Sequence, residues 1–334
     1  MIYADAVKMY LGVLFMDILY ASDNKFVSIM MTSINSVLEN VKDEINIHII
    51  SDAISKKNKE NISLLVNKYE KKVFFYEADK YLNGIKNKIR VTSAWPAIAF
   101  IRIYLVEILP QNIEKILYLD CDTLVCKDIR KLWNTDLSQY LVAGVLDCMD
   151  KNYINKIGLD NSDIYINSGV LLFNLINMRK YDLEDKFEQI IKEKGQYFKY
   201  PDQDAINIVM NKHIKTIPME YNLITQCLAF NYDEYMFYRN GNVYYNEKQY
   251  DFAKQNFCIL HMTSGFAYAR PWFEKSTYPY KNIFIKNYIM ANSTMKYWGD
   301  DNRSFVQKVV SKIFELSIPG KKYILRIMRK INNR

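Results

Sequence analysis

Short apolar runs alternate with stretches of helical period through the first half of the chain. Met1–Phe15 is apolar with one Lys. It is too short to span a bilayer and has neither a basic start nor a small-residue cleavage site, so it reads as an N-terminal extension, residues 1–15. Ile18–Ala21 is the first strand, and the turn Ser22-Asp23-Asn24 follows. Ile29, Met30, Ile34 and Val37 recur at helical spacing and predict a helix over Val27–Leu38. The run Ile45–Ile50 predicts a second strand, Lys56–Tyr69 a helix and Val73–Tyr76 a third strand. His48, in mid-strand, reads as a packed core residue. This alternation predicts a parallel sheet with helices on both faces.

The pattern continues with a helix over Ala97–Leu109, bounded by Pro96 and Pro110. Strands are predicted at Ile116–Leu119, at Leu141–Leu146 and within Ile164–Leu175, where Asn167-Ser168-Gly169 feeds an apolar run. Tyr200-Pro201-Asp202-Gln203-Asp204 opens a helix over Ala205–Met210, and Phe257–His261 is a late strand. Two apolar stripes close the chain. One is Phe305, Val306, Val309, Val310, Ile313 and Phe314; the other is Tyr323, Ile324, Ile327, Met328 and Ile331, and Pro319-Gly320 divides them.

The chemistry centres on KILYLDCD, Lys115–Asp122. In an extended chain residues i and i+2 face the same side, so Asp120 and Asp122 aim at one point past the strand's carboxyl end. In open α/β sheets that edge is where ligands sit. Two converging carboxylates suit a hard divalent ion shared with a diphosphate. A D-x-D triplet is also common in turns and helix caps. Other polar positions carry paired readings. Arg102, lone on an apolar helix, needs an acceptor: a buried carboxylate or an anionic or sugar ligand. Asp202 suits an N-cap, or a grip on sugar hydroxyls together with Gln203. His261 is a metal ligand or a turn residue, and Arg270 can neutralise a phosphate.

Composition narrows the class. The chain has 334 residues, half of them hydrophobic, which is ample for a core. The five Cys are scattered without a C-x-x-C, a reducing-compartment pattern, and the three His are too spread for a zinc cluster. Cys121, between two acids, takes no catalytic role. The net charge of +8 sits in the tail: Arg303–Arg334 holds nine cations and one acid, leaving the body neutral. That distribution argues against a nucleic-acid enzyme, which would more naturally spread basic residues over its working face. It predicts a basic amphipathic tail, residues 301–334, at an anionic membrane surface.

Taken together, YASDN, RIYLVEILP, KILYLDCDTLV, LWNTDL, INSGVLLFNL, YPDQDAIN and ILH…RPW resemble glycosyltransferase family 8 in order and approximate spacing. The resemblance runs from about Met16 to Trp272. It implies an α/β, Rossmann-like GT-A nucleotide-sugar transferase domain over residues 16–300, followed by the small helical basic tail. It implies that Asp120, Asp122 and His261 hold Mn²⁺ (or Mg²⁺) under the donor diphosphate. Ala21, Asp23 and Asn24 lie where the uracil is held, with Lys25 an alternative to Asn24. Arg102, Cys121, Asn167, Ser168, Asp202, Gln203, Gly265 and Arg270 fall around the donor, and Asp147 near the acceptor. Arg270 stands where the family has Lys.

The implied activity is a metal-dependent, retaining transfer of galactose or glucose from UDP-galactose or UDP-glucose. The acceptor is a saccharide or glycolipid in lipopolysaccharide or capsule synthesis, and the enzyme works in the cytoplasm on the inner face of the plasma membrane. Gln203 matches the place of a nucleophile but is a poor one, which favours front-face attack; Asp202 is a nucleophile only after rearrangement. Two rivals remain open. A haloacid-dehalogenase-type phosphatase also places D-x-D after a strand, and a non-catalytic UDP-sugar or glycan binder would keep the motifs without the chemistry.

Overall fold

A computed structural model describes residues 15–82, 97–301, 303–315 and 324–327. The extension up to residue 14, and the second tail stripe apart from Ile324 and Ile327, lie outside these. The strands are β1 Phe15–Asp23, β2 Glu44–Asp52, β3 Lys72–Glu77, β4 Lys115–Leu119, β5 Thr123–Val125, β6 Val142–Leu146, β7 Ile166–Asn174, β8 Ile214–Ile217, β9 Leu223–Ile224 and β10 Ile259–His261. Seven form one sheet in the order β3-β2-β1-β4-β7-β6-β8.

Alternate residues of the central strands supply two cores. Met16, Ile18 and Tyr20 of β1 and Leu117 and Leu119 of β4 pack toward helix α1, Val27–Asn40. Leu19, Ile116 and Tyr118 pack toward the segment Ala97–Ile108 on the other face. Strands covered on both faces read as nearly continuous apolar runs, which is why KILYL and INIHII look as they do. His48 is buried as expected, between Asp17 Oδ1 and the Tyr76 hydroxyl, both at 2.9 Å.

The sheet departs from the all-parallel expectation at β7, which runs antiparallel to both β4 and β6. The link from β6 to β7 carries one short helix, Lys151–Ile157, and re-enters the sheet at the edge it left. Without a crossover the next strand must run backwards. The amino end of β7, with Asn167, Ser168 and Gly169, therefore meets the carboxyl ends of β4 and β6. Asp120 N–H donates to the Gly169 carbonyl oxygen at 2.8 Å there.

Three other expectations shift. Ala97–Tyr104 is a 3₁₀ helix followed by one α turn, Leu105–Ile108. Arg102 Nε–H donates at 2.9 Å to the Ala99 carbonyl oxygen, which an α-helix would give to the N–H of residue 103. The later helix, α2, spans Pro201–Val209 with Pro201 in its first turn and Tyr200 as N-cap. Asp202 is thus inside the first turn, and its carboxylate is not a cap. In the tail, α3, Phe305–Glu315, lies partly on the body. Val310 and Ser311 are buried, and Ser311 Oγ donates to the Ala267 carbonyl oxygen. Phe305, Val306 and Val309 remain 81%, 53% and 40% exposed, so the expected single stripe divides between the body and solvent. Among the described residues no helix is long and apolar enough to cross a membrane.

Candidate active site

A second, three-stranded sheet, β5-β10-β9, assembles the site. β5 follows Asp122 directly, and β10 pairs antiparallel with it so that His261 stands opposite Thr123. Met262 N–H closes the ladder on the Asp122 carbonyl oxygen at 2.8 Å. A late strand thereby delivers its last side chain to the acid pair. His261 Nε2 lies 3.2 Å from Asp122 Oδ1 and 3.7 Å from Asp120 Oδ2. One ligand atom from each of the three residues falls within 4.8 Å of the others.

The arrangement suits a divalent ion. Asn222 Oδ1 lies 3.0 Å from His261 Nδ1, where it can accept that nitrogen's hydrogen bond, which would leave Nε2 to ligate an ion between the acids. Asn222 in turn donates to Asn167 Oδ1 at 2.8 Å, and Asn167 Nδ2 donates to Asp147 at 3.2 Å. Two carboxylate oxygens and one imidazole nitrogen are a donor set for a divalent metal ion. Gly169 makes room for the set: a Cβ there would lie 2.1 Å from His261 Cε1 and 3.0 Å from Asp120 Oδ2.

Cations balance the acids. Arg270 Nη2 donates to Asp122 Oδ2 at 3.0 Å, while its Nε is buried without a partner among the described residues. An unpartnered buried donor beside the acid pair points to an anionic ligand, since leaving it unmade costs about 1–3 kcal/mol. Arg102 joins several groups. It donates to Asp120 Oδ1 at 3.0 Å and the Ser168 carbonyl oxygen at 2.6 Å, and it approaches Asp202 Oδ2 at 3.4 Å. Its guanidinium also stacks 4.2 Å from the Tyr118 ring. Of the two readings of Arg102, the carboxylate pair is the one seen, with Asp202 buried beside it and Asp120 at the cleft.

Burial pulls the His261 pKa down, but the Asp122 and Asp120 carboxylates outweigh it and hold it above 6.5. Burial pushes Asp122 up, and His261 and Arg270 more than reverse that, so it stays ionised. Burial raises Asp202 despite Arg102. The Cys121 thiol is driven far up by burial, then by the two flanking acids, and it donates to the Ala21 carbonyl oxygen at 3.3 Å. It is no nucleophile, as expected.

The polar residues behind the acids form one network. Ser168 Oγ donates to Asp202 Oδ2 at 3.0 Å, and Ser168 N–H to Gln203 Oε1 at 3.0 Å. Gln203 Nε2 reaches Asp147 Oδ2 at 3.3 Å. The cleft over this network is about 190 Å³ and is lined by Asp120, Asp122, Asp147, Gln203, His261 and Arg270 among others. Gly265 is next to its wall at Ser264. Asp23 accepts from the N–H groups of Lys25 and Phe26 at 2.9 Å and shapes the turn after β1.

Asn24, next in the turn, also bonds across to another helix. Its Oδ1 is drawn to the start of the helix Lys56–Asn67, accepting from Ser55 N–H at 2.9 Å and Asn58 Nδ2 at 2.8 Å. Asn24 and Lys25 line a separate groove instead of the cleft. Sequence reasoning missed two residues. Arg239 ends the helix Tyr232–Arg239, pairs with Asp147 and donates through Nε to the Cys148 carbonyl oxygen at 2.5 Å. Asn222 sits in a one-residue link before β9, where nothing in the local pattern marks it.

Residues 17–276 match the family described as Glycosyl transferase family 8. The chain belongs to that family. It is a glycosyltransferase of GT-A fold, and the phosphatase alternative falls away.

Among its relatives is a putative glycosyltransferase of Haemophilus influenzae, 30% identical over 214 residues. That match spans 62% of this chain and 63% of the relative, just under two thirds of its length. The lipopolysaccharide 1,2-glucosyltransferase of Escherichia coli K12 is 24% identical over 88% of this chain and 82% of its own. The galactosyltransferase LgtC, solved in complex with donor and acceptor sugar analogues, superposes with a TM-score of 0.70. At 23% identity over 84% of this chain and 97% of LgtC, that likeness supports the fold.

Proposed function

We propose that this family 8 enzyme moves galactose or glucose from a UDP-sugar to a saccharide or glycolipid acceptor of a cell-surface glycan, with retention and with a divalent metal. The observation that carries this is the convergence of Asp120, Asp122 and His261 beside the unpartnered Nε of Arg270. Mn²⁺, held by those three residues, would supply charge neutralisation for the leaving diphosphate.

The chain's own groups do the rest. Arg270, at the rim of the acid pair, stabilises charge as it develops on the diphosphate. Arg102 holds Asp120 and Asp202 at fixed positions under the sugar. Asp202 is committed to Arg102 and Ser168, and Gln203 is held at both ends of its carboxamide. Neither is free to attack the anomeric carbon, which favours front-face displacement, with a leaving-phosphate oxygen taking the acceptor's proton. Asp147, tied by Arg239, Asn167 and Gln203, fixes the wall that an acceptor would meet.

We place the working enzyme on the cytoplasmic face of the plasma membrane, with residues 301–334 as the contact. The exposed Phe305, Val306 and Val309 beside Lys308 and Lys312 support this. The decisive assay is UDP release from UDP-galactose and UDP-glucose with Mn²⁺ and a saccharide panel. The proposal expects Mn²⁺-stimulated release from one of them and its loss in Asp122→Ala. Tight UDP binding with no transfer to any acceptor would favour the non-catalytic reading.

A further inference from the structure

Apart from the cleft, a groove of about 630 Å³ opens beside the turn after β1. One wall is a face of the helix Lys56–Asn67, continued to Lys68, and the other is the end of the helix Lys281–Asn292 with the segment to Trp298. Three lysines front it, Lys25, Lys68 and Lys296, and no Asp or Glu lines it. All three are exposed, and none makes an ion pair among the described residues. Three cations around one concavity that no acid lines form a local positive potential on a body with no net charge.

The rest of the lining suits a sugar. Asn24, Asn58, Asn61 and Asn292 contribute carboxamides. Among the described residues Asn24 and Asn58 bond each other through one end only, leaving Asn24 Nδ2 and Asn58 Oδ1 open, and Asn61 has no hydrogen bond, while Asn292 Nδ2 is taken by the Ser28 and Tyr288 carbonyl oxygens. Carboxamides with free donors and acceptors match hydroxyl patterns. Trp298 packs one side on Phe26 at 5.1 Å and stays 37% exposed at the groove, and Leu64 is 70% exposed. An amphipathic ring beside amides and cations is a surface for a pyranose carrying negative charge.

We propose that this groove binds an acidic saccharide, a glycan segment bearing carboxylate or phosphate groups, at a site distinct from the donor cleft. The site does not depend on which hexose is transferred. A charge-only surface for lipid headgroups would need neither the open carboxamides nor the exposed indole.

The test uses the full chain and two probes, a fluorescently labelled tetragalacturonate and its fully methyl-esterified, neutral counterpart. Binding is followed by anisotropy with UDP and Mn²⁺ present, so that the donor cleft is filled. The acidic probe is expected to bind with salt-sensitive affinity. That affinity should fall about tenfold in the double variant Lys68→Ala/Lys296→Ala, at unchanged thermal stability. Asn61→Leu should weaken the acidic probe without changing the salt dependence. Equal binding of the two probes, or undiminished binding by the double variant, would overturn the proposal. So would loss of anionic-vesicle binding in that variant with the saccharide unaffected.

Discussion

Gly169→Ala isolates the metal geometry from everything else in the site. Gly169 adopts no left-handed backbone, so alanine meets no backbone strain. The added Cβ would lie 2.1 Å from His261 Cε1 and 2.6 Å from Nδ1. An unstrained carbon contact needs at least 3.4 Å, so the imidazole must retreat by more than an ångström. Metal–ligand distances tolerate only about 0.2 Å, and the ring is pinned behind by Asn222. The third ligand is lost or badly placed, and an effect of about 10–100-fold on Mn²⁺ affinity follows. Calorimetric titration with Mn²⁺, paired with UDP release at saturating donor, reads it. Gly195→Ala, whose Cβ would only touch Ile191 at 3.6 Å, is the control. Full Mn²⁺ affinity in Gly169→Ala, with the fold intact by circular dichroism, would refute the reasoning.

Asn222→Leu removes the acceptor behind His261 Nδ1 and should cost at least about tenfold in Mn²⁺ affinity while leaving UDP binding without metal unchanged. Asp204 is buried beneath the Tyr153 and Tyr165 hydroxyls, and burial raises its pKa to about 6 from 3.8. The folded state holds that proton more tightly than the unfolded chain, so stability falls as pH rises from 3.8 to about 6. The ceiling on that loss is about 3 kcal/mol. Urea melts of Asp204→Asn across this window should show a flatter profile than the parent. Replacing Phe305, Val306 and Val309 by Ser should abolish sedimentation with anionic liposomes without altering soluble turnover; unchanged sedimentation would end the membrane assignment.

The frame was legible because buried strands announce themselves. KILYLDCD marked both a strand and the acid pair at its carboxyl end, since Ile116–Leu119 are buried on both faces and the acids follow at once. The local pattern marked His261 only as a metal ligand or a turn residue at the end of a late strand, and the family resemblance alone joined it to the acids. Its partnership with Asp122 depends on the β5–β10 ladder, a long-range pairing that local pattern does not encode. The reversal of β7 escaped for a similar reason: Val170–Phe173 are apolar whichever way the strand runs. Asn24 bonds across to the start of another helix, accepting from Ser55 N–H and Asn58 Nδ2, a contact that its local pattern does not encode. Arg239 and Asn222 bear on the site through a few side-chain hydrogen bonds from a helix end and a one-residue link, which carry no periodic signature.

The most direct test of the central claim is pulsed electron paramagnetic resonance of Mn²⁺ bound to the full chain with UDP. The account predicts coupling to one imidazole nitrogen, absent in His261→Gln, and loss of the bound signal in Asp122→Ala. Mn²⁺ bound with no nitrogen coupling, or a spectrum untouched by either substitution, would contradict it.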